Sequence, residues 1–344
     1  MQKHELTINE PFRFEAGGVL DSIHLVYHSS EREYKPGETV VWICHALTGN
    51  SNPEDWWPQM VGRGKLFDPD KYYIVCVSMI GSPYGATCPA SVNPKTGKPF
   101  YFDFPDFTVR DIVSANILVR KHLGIGTIDL MLGPSVGGFQ TLEWAIMEPD
   151  VIRNAVFLAT ANRVNPFMTA FNESQRLALA ADPSCREARS LEGGRDGLRC
   201  ARSIALISYR TYDGYNKTQE EPEVDTLFAD RAGSYQRYQG KKLSDRFDAY
   251  CYWYLTRALD SQNVGRGRGG VEKALSRIKA HCMMISIDSD VLFPPKHGKA
   301  TAKAIQDAEY RELSSIFGHD GFLIEYEQLG NILKPLLNSL TEKK

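Results

Sequence analysis

The sequence predicts an α/β fold, a mainly parallel sheet flanked by helices, with a helical lid inserted late in the chain. Three observations predict it: short and nearly continuous apolar runs, amphipathic segments between them, and one long stretch of different character. The runs are residues 39–46 (TVVWICHA), 72–80 (YYIVCVSMI), 128–132 (IDLML), 154–160 (NAVFLAT) and 282–288 (CMMISID). Runs that are apolar on both faces suit parallel strands covered by helices on both sides.

The elements follow in chain order. In FRFEAGGVLDSIHLVYHS, Ile23, Leu25 and Tyr27 alternate with more polar neighbours near Gly17 and Gly18, which predicts an antiparallel hairpin about that turn with one buried face. Helical spacing marks residues 109–123, with Ile112, Val113, Asn116, Val119 and Leu123 on or near one stripe, then 137–148 and 297–307. A further strand is expected in YRELSSIF, ahead of FGHDGF. Between Thr160 and Cys282 lie about 120 residues, too long for an ordinary connection. They hold helix-like pieces (NESQRLALAAD, LRCARSIALIS, DRFDAYCYWYLTRALD) joined by polar, glycine-containing links. The expected organisation is a discontinuous core of residues 1–160 and 276–344 around a lid of residues 161–275. No internal repeat is evident, and GRGRGG at 265–270 reads as a flexible solvated loop.

Composition bounds the function. The 344 residues are 42% hydrophobic, 11% aromatic and 24% charged, enough to bury a sizeable core. Forty basic against 42 acidic residues leave a net charge of −2, without the cationic excess of a dedicated nucleic-acid binder. Neither a signal peptide in MQKHELTINEPF nor an apolar window of about 18 residues is present, so export and membrane spanning are not expected. The seven cysteines (Cys44, Cys76, Cys88, Cys185, Cys200, Cys251, Cys282) are an odd number without a CxxC pair, several of them inside apolar runs. They read as reduced core thiols of a cytoplasmic protein. His24 and His28 share a strand face but lack a third ligand, so no metal site is expected.

The strongest chemical signal is Gly133-Pro134-Ser135-Val136-Gly137, between the strand IDLML and the helix GGFQTLEWAI. A nucleophilic serine on a sharp strand-to-helix turn needs small flanking residues to present its hydroxyl above the sheet. The structural alternative is a glycine-rich turn whose serine caps the helix. A serine hydroxyl needs a histidine base, and the histidine a carboxylate, in the chain order Ser, acid, His for such an elbow. Three histidines follow Ser135. His281 opens a strand and His297 starts a helix, where each reads as a surface residue, whereas His319 stands in a glycine-flanked turn after a strand. Asp288 and Asp290 are the candidate acids, and Asp290, in the turn proper, is favoured. The oxyanion needs two backbone N–H donors. Val136 offers one, and the loop HALTGN at 45–50 is placed to offer the second, with Leu47 as the candidate.

These residues resemble the homoserine O-acyltransferases of methionine biosynthesis, within the α/β-hydrolase superfamily. The resemblance spans nearly the whole chain: HALTGN, GSPYGATCPASVNPKTGKPFYFDFPDFTVRDIV, the elbow followed by LEWAI, FNESQR, the SYR at 208–210, SYQRYQGKKLSDRFDAYCYWYLTRALD, SDVLFPP and GHDGF. It implies an α/β-hydrolase fold with an inserted lid and a ping-pong acyl transfer. Ser135 would take the acyl group from acyl-CoA and pass it to the hydroxyl of L-homoserine. His319 would act as acid and base, held by Asp290. Arg210 would bind the amino-acid carboxylate, and Asp320 the amine or hydroxyl end. The resemblance further implies a homodimer through the lid, small-molecule substrates, and acetyl-CoA or succinyl-CoA as co-substrate in place of a permanently bound cofactor. Acetyl is favoured over succinyl. L-Serine as acceptor and an esterase or thioesterase outcome remain alternatives. The family elbow usually reads GGSMGG, and here Pro134 and Val136 depart from it, which bears on donor preference and turnover.

Overall fold

The computed structural model describes residues 1–342 and contains ten strands. They are β1 (Gln2–Ile8), β2 (Phe12–Arg13), β3 (Val19–Leu20), β4 (Ile23–Ser29), β5 (Val40–Ile43), β6 (Tyr73–Val77), β7 (Leu130–Pro134), β8 (Asn154–Leu158), β9 (His281–Ile287) and β10 (Ala308–Leu313). Eight form one sheet in the order β1-β4-β6-β5-β7-β8-β9-β10. The β1/β4 and β4/β6 pairs are antiparallel, and every pair from β6 to β10 is parallel. All five apolar runs therefore lie in the parallel part.

Alternate residues of those strands feed two cores. Trp42, Val75, Met131, Phe157 and Met284 point to one face, and Ile43, Ile74, Leu132, Val156 and Ile285 to the other. Such two-sided burial is why the runs look continuous instead of alternating. Helices α1 (Pro53–Trp56), α2 (Val109–His122) and α3 (Val136–Met147) come first. Thr108 and Asp111 close a reciprocal capping box at the start of α2. The chain between β8 and β9 forms α4 (Pro166–Ala181), α5 (Pro183–Glu187), α6 (Arg195–Tyr209), α7 (Tyr212–Gln219), α8 (Arg231–Ser244), α9 (Ala249–Asp260) and α10 (Val271–Leu275). Helix α6 packs against α4 and α8, and α9 packs on α4. The chain enters and leaves this helical block through one neck, where Val164 N donates to Gln262 O and Val264 N to Asn162 O. Finally α11 (Pro295–Ala304), α12 (Gly321–Ile324) and α13 (Tyr326–Glu342) flank β9 and β10.

Three expectations need correction. The strand with Ile23, Leu25 and Tyr27 does not form a hairpin about Gly17 and Gly18: its antiparallel partner is β1, in register from Gln2↔Ser29 to Ile8↔Ile23. The glycine turn closes the separate two-stranded ribbon β2/β3. β1 has no fully buried residue, so an edge strand held by its ladder left little apolar signal. Next, β7 runs on through Gly133 and Pro134. Pro134 falls on the side where β5 has already ended at Ile43↔Leu132, so its missing N–H breaks no ladder bond.

The third concerns GRGRGG, which is not a free solvated loop. Arg268 pairs with the buried carboxylate of Glu143 on α3 (Nη1–Oε2 3.0 Å), and Arg266 pairs with Glu15 at 2.7 Å. Arg110 on α2 reaches both acids, at 2.9 Å from Glu15 and 3.1 Å from Glu143. The network clamps the outgoing neck of the helical block to α2 and α3. Glu143 stays out of water, so removing one of its cations costs more than removing the outer cation of Glu15. Arg268→Ala is expected to lose about 2 kcal/mol of unfolding free energy, and Arg266→Ala less than about 1 kcal/mol, read by urea denaturation of both variants.

Candidate active site

Ser135 occupies the turn between β7 and α3 with φ 57° and ψ −119°. An L-residue held there costs on the order of 1–3 kcal/mol, so the surroundings must impose it. They do so at both ends of the residue. Ser135 N donates to Leu158 O at 2.9 Å, while its carbonyl accepts from Gly138 N, Phe139 N and Thr160 Oγ1 at 2.9, 3.2 and 2.9 Å. The flanking glycines are required by contact. A Cβ on Gly133 would overlap the Gly137 backbone, and one on Gly137 would overlap the carbonyl of Cys44. The second contact presses the elbow onto the base of the HALTGN loop.

Asp290 and His319 arrive from the chain beyond the last two strands of the sheet, β9 and β10. His319 lies in a 3-10 turn, Gly318–Asp320, beyond β10, and Asp290 lies in the turn after β9. His319 Nε2 is 2.8 Å from Ser135 Oγ, and Nδ1 is 2.7 Å from Asp290 Oδ2. The other Asp290 oxygen accepts from Leu292 N and Phe293 N at 2.8 and 3.0 Å, which fixes the carboxylate. Asp288 is occupied elsewhere, accepting from Ser314 Oγ and Ser315 N. Both imidazole contacts are satisfied when Nδ1–H donates to Asp290 and Nε2 accepts from the Ser135 hydroxyl. Burial opposes charge on the His319 ring, but the charge of Asp290, its hydrogen bond and the charge of Asp320 together hold the ring above the ordinary histidine value.

Leu47 and Val136 are both buried, and no backbone acceptor among the described residues takes the N–H of either. Leu47 is a central residue of a turn closed by Gly49 N donating to Ala46 O at 2.9 Å. That loop carries a residue left without a role by sequence reading. His45, fully buried, donates from Nδ1 to Ala46 O (2.8 Å) and accepts from Met79 N at Nε2 (3.0 Å). Burial pushes its pKa down to about 4, so it serves as a neutral strut.

Arg210 and Asp320 meet beside the relay. Arg210 caps α6, and its Nε lies 2.8 Å from Asp320 Oδ2, while Nη2 reaches the Tyr235 hydroxyl at 3.3 Å. The Nε contact is an ion pair without hydrogen-bond alignment, so the buried Nε–H is still unsatisfied. Gly318, at φ 64°, lets the histidine turn approach this end of α6, where a Cβ would lie 3.0 Å from Tyr209 O. Aromatic rings that sequence reading did not single out enclose His319: Phe293, Tyr209 and Phe322 have centroids 5.4, 5.7 and 5.8 Å away. The remaining histidines lie elsewhere. His281 pairs with Asp307, His24 with Thr7 and His28 with Ser51. Among the described residues no cluster of histidine, cysteine and carboxylate side chains could hold a metal ion.

A protein-family model described as alpha/beta hydrolase fold matches residues 39–326. The homoserine O-acetyltransferase of Cyclobacterium marinum is 42% identical over 327 residues, 94% of this chain and 92% of that protein. The chain belongs to the homoserine O-acetyltransferase family. A crystal structure of homoserine O-acetyltransferase from Staphylococcus aureus, 29% identical, superposes with a TM-score of 0.81 over 98% of this chain and 96% of that one. An acetylester hydrolase from Corynebacterium glutamicum, 23% identical, shares the fold with a TM-score of 0.85 over 98% and 96% of the two chains.

The raised pKa of His319 has a sign that can be checked. The base is neutral imidazole, so the reactivity of Ser135 rises with pH through the folded-state pKa. Labelling of Ser135 by a fluorophosphonate is expected to show its inflection above the usual 6.5 of histidine. In Asp290→Asn the larger of the two raising charges is gone while burial and Asp320 remain, so the inflection moves down and the limiting rate falls by roughly 10⁴-fold. The pH dependence of labelling, measured for both proteins, checks direction and size.

Proposed function

We propose that the chain transfers an acetyl group from acetyl-CoA to the side-chain hydroxyl of L-homoserine through an acyl-enzyme on Ser135. His319 takes the Ser135 proton as Oγ adds to the thioester carbonyl. The resulting oxyanion is received by the N–H groups of Leu47 and Val136. Collapse breaks the C–S bond, and His319 returns the proton to the departing CoA thiolate. In the second half His319 deprotonates the homoserine hydroxyl, which attacks the acyl-serine, and the proton passes back to Ser135.

A serine relay alone would equally serve an ester hydrolase. The observation that carries the transferase reading is the Arg210–Asp320 pair beside His319. A zwitterionic amino acid needs a cationic fork for its carboxylate and an anion for its ammonium group, and this pair offers both, with the Arg210 Nε–H still without a hydrogen-bond partner. The helical block overhead supports the same reading, because an acyl-enzyme meant for an alcohol must be shielded from water.

The acting form is a homodimer through that block. Exposed Ile207, Tyr212, Leu227 and Phe228, from α6 to the link before α8, supply apolar surface that a second copy would cover. No helix of the described residues is long and apolar enough to cross a membrane. All seven cysteines are free and six are buried, which fits a reducing, cytoplasmic setting.

The test is thiol release with acetyl-CoA or succinyl-CoA as donor and L-homoserine or L-serine as acceptor. Release is expected to be fastest with acetyl-CoA and L-homoserine and to fall at least tenfold without acceptor. Release independent of any amino acid would make the protein a thioesterase, and a preference for succinyl-CoA or L-serine would reassign donor or acceptor. Sedimentation velocity on the same sample should give a dimer, and a monomer at assay concentration would refute the assembly.

A further inference from the structure

The HALTGN loop is held from two sides, and one of them belongs to the helical block. From the core, His45 bridges Ala46 and Met79. From the helical block comes Arg246, in the link between α8 and α9, 198 positions along the chain from Thr48. Its Nη1 donates to the Thr48 carbonyl at 2.7 Å and to the Tyr84 hydroxyl, and Nη2 reaches Thr48 Oγ1 at 3.4 Å. No carboxylate among the described residues pairs with Arg246. Its partners are the neutral oxygens of the loop and of Tyr84.

The guanidinium is exposed but its base is anchored. Neighbouring Phe247 is buried, with its ring edge-on to Tyr84 and Tyr252 at 5.7 and 6.0 Å. Thr48 follows Leu47 in the turn that Gly49 N closes onto Ala46 O. The crown of a four-residue turn has one internal hydrogen bond and can rock about it unless something holds its outer edge. A charge-assisted bond to the Thr48 carbonyl does so, one residue from the N–H that must point at the oxyanion.

We propose that Arg246 is a positioning residue: it fixes the turn of residues 46–49 from the helical block, so the Leu47 N–H is aimed only while that block is docked. This rests on the reading of Leu47 as an oxyanion donor in acyl transfer. Arg246 touches no reacting atom in this account. Its effect appears in both halves of the reaction, because both tetrahedral intermediates use the same hole.

The test is rapid-mixing kinetics on the full chain, comparing wild type with Arg246→Met, Arg246→Lys and Tyr84→Phe. Acylation is followed with acetyl-CoA and with S-acetyl-N-acetylcysteamine, a short thioester that lacks the phosphates of CoA, and deacylation with L-homoserine. Arg246→Met is expected to slow limiting acylation by both donors, and deacylation, by about tenfold to a hundredfold, below the roughly 10²–10³ of deleting a donor outright. Half-saturating concentrations should stay the same, and Arg246→Lys should recover part of the loss. Rates equal to wild type would overturn the proposal. So would a loss confined to acetyl-CoA with a raised half-saturation, which would mark Arg246 as a contact to the donor's phosphates. If Arg246→Met does not fold, Tyr84→Phe, which removes one neutral partner, should still slow both donors equally, and no slowing would count against the proposal. A wild type that forms no acyl-enzyme would sink the acyl-transfer reading itself, whereas an active wild type matched by an equally fast Arg246→Met sinks only the role of Arg246.

Discussion

The backbone of Ser135, at φ 57° and ψ −119°, is the constraint on which the site depends. It is tolerable only because three donors converge on its carbonyl and because Gly133 and Gly137 leave no side chain in the way. The same close packing brings α3 onto the carbonyl of Cys44, so the elbow and the loop that follows β5 form one unit. Strand ends do the rest. β7, β9 and β10 are parallel and deliver Ser135, Asp290 and His319 to the carboxyl edge of the sheet, where a hydrogen-bonded relay can close.

Charge is used locally. With a net charge of −2 the chain has no overall positive charge to steer anions from a distance. Two carboxylates act on His319 with different consequences. Asp290 is fixed by two backbone N–H groups and orients the ring, while Asp320 adds to its basicity and is itself tied to Arg210. The acid beside the base and the cation above it are therefore one assembly, joined where α6 meets the Gly318 turn. Arg246 makes a second junction between helical block and core, at the loop that follows β5.

Much of this was legible because it is local. The elbow announces itself in five residues between an apolar run and a helix, and the chain order of acid and base left few candidates. Asp290 could be separated from Asp288 because one lies in the turn and the other at the strand end, and the structure gives Asp288 its own partners, Ser314 and Ser315. What escaped was carried by distant pairing. β1 is an edge strand with mixed exposure, so nothing in QKHELTI revealed that it, and not the ribbon about Gly17, is the partner of β4. GRGRGG reads as solvent-exposed composition, yet Arg268 is spent on Glu143, 125 positions away. His45 and Arg246 stood inside quoted motifs, but their work is visible only once Met79, Tyr84 and Thr48 are brought beside them.

The central claim is a covalent intermediate on Ser135 that waits for an amino-acid acceptor. Intact-protein mass measured after rapid quenching tests it most directly, with acetyl-CoA alone and then with a chase of L-homoserine. The account predicts a gain of one acetyl group on wild type, absent in Ser135→Ala and cleared within one turnover by the chase. An unmodified wild-type protein under conditions where CoA is being released, or an acetyl group that water clears as fast as homoserine does, would contradict it.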